Sequence, residues 1–170
     1  MLSLGLHIED QVFPKRCGHL DDKKLVSAED FAKKVEIAVK AAKECSDGEF
    51  IICARTDAAG VTGIDDAIKR AKLYIDAGAD MIFPEGLKSK EDFALVAKEL
   101  KGYGPKGGPF LLANMTEFGK TPYITLEEFE KMGYNCVIYP VSTLRIAMKA
   151  VDNFLKDLKQ YGTQEPQLKK

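Results

Sequence analysis

The sequence predicts an α/β fold, a partial (β/α)8 TIM barrel built of five βα units. Three observations predict it. Short apolar runs without polar alternation recur between longer amphipathic stretches, the mark of a parallel sheet with right-handed crossovers. Polar groups suited to chemistry follow nearly every apolar run, whereas a doubly wound sheet gathers its site at one switch point and usually opens on a glycine-rich turn. The chain has 170 residues, and eight complete units take about 250.

The runs Leu4–Ile8, Phe50–Ala54, Met81–Phe83, Phe110–Ala113 and Cys136–Tyr139 are the expected strands, rich in Ile, Leu, Phe and Val as in sheets covered on both faces. Phe31, Val35, Ala38, Val39 and Ala42 fall on one helical face, and so do Ile68, Ala71 and Ile75. A last helix is marked by Leu144, Ala147, Met148, Val151, Phe154, Leu155 and Leu158. Ser27-x-x-Asp30, Thr62-x-x-Asp65, Ser89-x-x-Asp92 and Thr125-x-x-Glu128 supply capping-box patterns at helix starts. Gly48, Gly78, Gly102 and Gly133 follow helical stretches, where a left-handed cap favours glycine. The expected domain covers residues 1–161, and 162–170 form a polar tail.

Composition excludes several classes. With 25 Lys+Arg against 26 Asp+Glu and a formal charge of -1, the chain lacks the basic excess of a nucleic-acid binder. No apolar run reaches the length of a membrane helix, and the start shows no signal-peptide layout. Cys17, Cys45, Cys53 and Cys136 fit no zinc spacing. Reduced thiols in a cytosol-like compartment are expected, the bacterial cytoplasm first and the mitochondrial matrix second.

The strand-end groups carry the chemistry. Adjacent Glu9 and Asp10 suit a hard cation such as Mg²⁺. Arg55 can clamp a carboxylate or phosphate with its planar fork, or else pair with Asp57 or Glu85. Glu85, Asn114, Thr116 and Arg145 extend a lining suited to a small polyanion. Cys17 lies in Lys15-Arg16-Cys17-Gly18-His19, whose cations would lower a thiol pKa and fit it for nucleophilic or acid/base work. A loop cysteine without a role is the plainer alternative. His7 within the first strand reads equally as a core histidine bonded to backbone.

The cysteine segment, with Gly5-Leu6-His7-Ile8-Glu9-Asp10-Gln11, Ala54-Arg55-Thr56-Asp57-Ala58, Phe83-Pro84-Glu85 and Asn114-Met115-Thr116-Glu117-Phe118-Gly119, resembles the isocitrate lyase / phosphoenolpyruvate mutase superfamily, and within it the methylisocitrate lyases. The likeness runs from Leu4 to about Gln164. It implies a Mg²⁺-dependent lyase (Mn²⁺ serving in its place) that cleaves 2-methylisocitrate to pyruvate and succinate in propionate breakdown. On that resemblance Cys17 is the acid that protonates the succinate carbanion, with His19 and Glu85 beside it. Gly18, Arg55, Asn114, Thr116 and Arg145 hold substrate carboxylates, and Glu9 belongs to the metal's surroundings.

The resemblance also aligns Leu4–Ile8 with the fourth barrel strand, so the five units correspond to strands 4 to 8. Three βα units, a serine–glycine–glycine substrate loop, the main metal aspartates and a C-terminal segment are then missing. A homotetramer is expected of the full-length family member, and this chain by itself is expected to be inactive and prone to associate through open sheet edges. The alternatives are an isocitrate- or oxaloacetate-directed lyase of the superfamily, or a non-catalytic truncated subunit.

Overall fold

A computed structural model describes residues 4–46 and 49–168, so the expected cap at Gly48 lies outside the described residues. Five strands, β1 (Gly5–Glu9), β2 (Ile51–Thr56), β3 (Met81–Pro84), β4 (Phe110–Asn114) and β5 (Cys136–Ile138), alternate with α1 (Ala28–Ser46), α2 (Ile64–Asp76), α3 (Lys90–Leu100) and α4 (Leu126–Met132). All strand pairs are parallel and the sheet order is β1-β2-β3-β4-β5, the order of the chain itself. A doubly wound sheet reverses direction at its switch point; this one does not, and the partial barrel is the fold.

The strands' period of two sorts their side chains onto two faces. Ile52, Ala54, Ile82, Leu111 and Ala113 meet Phe31 and Val35 of α1, Ile68, Ala71, Tyr74 and Ile75 of α2, Phe93, Val96 and Leu100 of α3, and Phe129 of α4 in the main core. Cys53, Phe83 and Leu112 form a second cluster on the opposite face with Met81, Cys136 and Ile138 against it. Burial beside Cys136 pushes the Cys53 thiol up to about 12, so Cys53 is an inert packing group. Two residues further along each strand from this cluster stand Arg55, Glu85 and Asn114. The face that holds the second cluster therefore ends in the chemistry.

Local signals set the element ends. Ser27 Oγ accepts from the Asp30 N–H at 3.1 Å, and Ser89 caps α3 through Asp92 N–H at the same distance. Thr125 and Glu128 form the full reciprocal box at α4. Thr62 departs from the expected pattern. Gly63, at φ 102°, is the N-cap of α2, and the Thr62 hydroxyl turns instead to Asp66 Oδ2 at 2.5 Å and to the Ala58 carbonyl. The glycine at 63, with its positive φ, takes the N-cap position, so Thr62 meets the Asp66 side chain and not a backbone N–H of the first turn.

The chain divides into two compact units, one ending at Ile138 and the other starting at Tyr139. The second unit holds α5 (Ser142–Tyr161) and a short α6 (Glu165–Leu168), the latter falling where the sequence reading expects a polar tail. Among the described residues no helix is long and apolar enough to cross a membrane.

Candidate active site at the strand ends

The site gathers at the C-terminal ends of β1, β2, β3 and β4. Parallel register sets Glu9 beside Arg55 and Thr56 beside Pro84, so consecutive strands deliver one polar group each to a common rim. Arg55 is the hub. Its Nε and Nη2 donate to Asp57 Oδ2 and Oδ1 at 2.9 and 3.1 Å, its Nη1 stands 3.2 Å from Glu85 Oε2, and Glu9 Oε2 lies 3.4 Å from Nε. The guanidinium also rests over the Phe83 ring at 5.1 Å. Burial works against its charge, but the Asp57 hydrogen bonds and the charges of Glu85, Asp57 and Glu9 outweigh that and hold its pKa above the ordinary value. The ion pairs foreseen as the alternative for Arg55 are thus both made. A substrate carboxylate must use donors that Asp57 and Glu85 leave over, since a guanidinium has five.

Glu85 is buried and draws in two more candidates. Asn114 Nδ2 donates to its carboxylate at 3.3 Å to Oε2, and His19 Nε2 stands 3.3 Å from Oε1 without meeting the angles of a hydrogen bond. His19 Nδ1 accepts the Lys120 N–H at 3.1 Å. In the neutral ring that fixes the proton on Nε2, facing Glu85. Asn114 Oδ1 is buried without a hydrogen-bond partner.

The segment carrying Cys17 is held down at several points. The Gln11 side chain accepts from Arg16 N–H and donates to the Arg16 carbonyl, both at 2.9 Å, while Val12 N–H meets the Lys24 carbonyl at 2.8 Å and Leu20 N–H meets that of Cys17 at 2.9 Å. Cys17 is exposed with a free thiol. Gly18 is buried directly on the hub: a Cβ there would lie 2.3 Å from Glu85 Cγ and 2.7 Å from Arg55 Nη2. Only glycine permits this approach. Thr116 follows β4 and is half-buried, its methyl near Gly119. Arg145 lies in the first turn of α5, in the second unit. His7 is exposed and meets Phe83 edge-on at 5.8 Å, so it is no core histidine.

Asp10 does not join Glu9 as a cation site. It is buried, and its oxygens accept from Asp57 N–H, Thr56 Oγ1, Tyr74 OH and Arg70 Nη1 at 2.9, 2.8, 2.9 and 3.4 Å. It ties the end of β1 to β2 and α2. Glu9 Oε2 is engaged by Lys15 at 3.0 Å, and its Oε1 is buried without a hydrogen-bond partner. One carboxylate oxygen can meet a metal-bound water, but among the described residues no group of three or more His, Cys, Asp or Glu converges as a metal shell. These residues alone do not fit a resident Mg²⁺. Sequence reasoning also missed Lys23, in the run Asp21-Asp22-Lys23-Lys24, whose ammonium is buried against Asp57 and Gly18.

A partial parallel barrel with a thiol, an imidazole and an arginine–carboxylate hub at its strand ends has the layout of an enzyme-type site. The family follows from the comparisons. The phosphoenolpyruvate phosphomutase family model matches residues 3–159, and the chain belongs to the phosphoenolpyruvate mutase / isocitrate lyase superfamily. It is 53% identical over 161 residues to the probable 2-methylisocitrate lyase 1 of Corynebacterium glutamicum, covering 95% of this chain and 50% of that protein. A 2,3-dimethylmalate lyase structure superposes with a TM-score of 0.85 at 36% identity, covering 94% of this chain and 51% of the other. An oxaloacetate acetylhydrolase bound to 3,3-difluorooxalacetate gives 0.83 at 37% identity, with coverage of 94% and 51%. The chain spans about half the length of the relatives it matches.

Proposed function

We propose that this chain carries the proton-donating and carboxylate-holding half of a carbon–carbon lyase that cleaves 2-methylisocitrate to pyruvate and succinate. The observation that carries this reading is the seating of the Cys17-Gly18-His19 turn on the Arg55–Glu85 pair. In the reaction the substrate hydroxyl passes its proton to a base, the role this reading gives the Glu85 carboxylate, and becomes pyruvate's carbonyl as the carbon–carbon bond breaks. The electron pair stays on the succinate carbon. The Cys17 thiol gives that carbon its proton. Arg55 and the Asn114 amide hold carboxylates, and their fixed charge and dipoles stabilise the carbanion as it forms. His19, with Nδ1 occupied by Lys120, faces Glu85 through Nε2 and is not itself the base in this tautomer.

The names of the similar proteins support the substrate class, a branched or unbranched hydroxy- or oxo-dicarboxylate or tricarboxylate. Mg²⁺ or Mn²⁺ dependence, a homotetrameric assembly and a place in propionate breakdown belong to the whole protein in this reading, because these residues supply no metal shell of their own. The test joins this chain behind the N-terminal half of a 2-methylisocitrate lyase and follows pyruvate release. Cleavage of 2-methylisocitrate in preference to isocitrate, abolished by Cys17→Ser, is expected; the 170-residue chain alone is expected to release none. Preference for isocitrate or oxaloacetate would move the protein to another lyase of the superfamily, and activity unaffected by Cys17→Ser would overturn the assignment of the acid.

A further inference from the structure

We infer that Lys23 is a positioning residue, whose buried ammonium joins the Gly18 carbonyl to Asp57 and so sets the seat of the Cys17-Gly18-His19 turn on Arg55 and Glu85. The importance of that turn rests on the lyase reading above; the geometry does not. The Lys23 side chain is 2% exposed. Its Nζ donates to the Gly18 carbonyl and stands 3.5 Å from Asp57 Oδ1. That same oxygen accepts from Arg55 Nη2 at 3.1 Å. One carboxylate oxygen thus links the cation under the turn to the cation at the hub.

Burying an ammonium is costly unless its donors are used, and an apolar side chain of similar volume would serve stability as well or better. What an apolar side chain cannot do is hold two oxygens from separate segments. The surroundings are shaped for the ammonium. A Cβ at Gly60 would come within 3.0 Å of Nζ, and one at Gly86 would come within 3.3 Å of the Gly18 carbonyl oxygen. Two segments thus give up side chains around the ammonium and the carbonyl it holds. His19 follows the anchored carbonyl directly, so loss of the anchor frees the imidazole that stands between Lys120 N–H and Glu85.

The experiment uses the purified 170-residue chain, labelled with ¹⁵N, as wild type, Lys23→Met and Lys23→Gln. His7→Gln identifies the His19 signals. Two readings are taken: the imidazole nitrogen signature of His19, and hydrogen exchange at the Lys120 amide against sheet amides of Ile82 and Ala113. Wild type should show the Nε2–H tautomer and a protected Lys120 amide. Lys23→Met should mix the tautomers and speed Lys120 exchange about ten-fold or more while the sheet amides stay protected. Lys23→Gln, which keeps a donor for Gly18 but no charge, should fall between them. Should Lys23→Met fail to fold, the same readings on Lys23→Gln decide. A wild-type tautomer and unchanged Lys120 exchange in a folded variant would overturn the inference, as would a loss of protection spread evenly over the sheet. No substrate enters either reading, so failure of the lyase reading would leave them untouched.

Discussion

Asp57 takes both the Nε and Nη2 edges of Arg55, at 2.9 and 3.1 Å, and so aims the remaining Nη1 edge at Glu85. The bidentate pair spans only two residues at the end of β2, yet it decides which face of the guanidinium a ligand can meet. Arg55→Met would leave three carboxylates, Glu9, Asp57 and Glu85, around an apolar side chain. Removing one partner of a buried pair costs about 3–5 kcal/mol, and urea unfolding should show a loss of that order. Arg55→Lys should recover only part of it, because an ammonium cannot reproduce the fork. A loss below about 1 kcal/mol would place these charges in an environment far more like bulk solvent.

Gly18 tests the close approach of the turn. Alanine there sets a Cβ 2.6 Å from Glu85 Cδ and 2.7 Å from Arg55 Nη2, distances that force one side to move. The hub is cross-linked by Asp57 and the turn is not buried on its outer side, so the turn should lift. Gly18→Ala is expected to cost about 1–3 kcal/mol in urea unfolding and to deprotect the Lys120 amide that His19 accepts. An unchanged Lys120 exchange rate would mean that the hub, and not the turn, yields.

The elements that could be read from sequence are those whose cause is local. The apolar runs at 51–54, 81–83 and 110–113 became strands because uninterrupted Ile, Leu and Phe suit a sheet covered on both faces, and Thr125 with Glu128 capped α4 because the partners lie three residues apart. The rim residues Arg55, Glu85 and Asn114 were legible because each stands at the end of an apolar run, Glu85 after a single proline. Thr62 misled because its neighbour Gly63 takes a positive φ that no spacing rule records. Asp10 and Lys23 were hidden for a different reason. A buried charge depends on partners far along the chain, Tyr74 and Arg70 for Asp10 and Asp57 for Lys23, and the neighbouring residues in sequence mark neither as buried. Arg145 follows β5 in sequence as the others follow their strands, but it stands in a unit of its own.

Asp10 makes a prediction about pH. Burial holds its carboxyl above the ordinary 3.8, outweighing the hydrogen bonds from Asp57, Thr56 and Tyr74 and the charge of Arg70. Between 3.8 and that raised value the folded chain binds more protons at this site than the unfolded one. Stability from Asp10 therefore rises as pH falls through the window and declines again on the way to neutral. Asp10→Asn removes the titration and turns an amide nitrogen toward donors such as Arg70, at about 1–3 kcal/mol. The stability difference between wild type and Asp10→Asn should widen as pH is lowered toward 3.8. A difference that narrows in urea titrations over the same range would show that the donors hold Asp10 below its ordinary value.

Among the described residues β1 pairs with β2 alone, and the opposite edge of β1 is open. That edge is poorly defended. Leu4 and Leu6 are exposed on it, and Ile37 of α1 is 69% exposed beside it. A groove of about 410 Å³, lined by Leu6, Ala38, Ala41, Ala42 and Phe50 among others, runs along it. Unpaired backbone groups next to apolar side chains template pairing with another chain, and a lysine on the edge opposes it. Light scattering of the 170-residue chain should show concentration-dependent association, and Leu6→Lys should reduce it without altering the far-ultraviolet spectrum. Leu6 is 45% exposed, so the lysine stem can lie along the groove while its charge reaches water. The core is not asked to change. A wild-type chain that stays monomeric across that range would mean that its short, twisted edge is protection enough, and association undiminished by Leu6→Lys would move the contact away from β1.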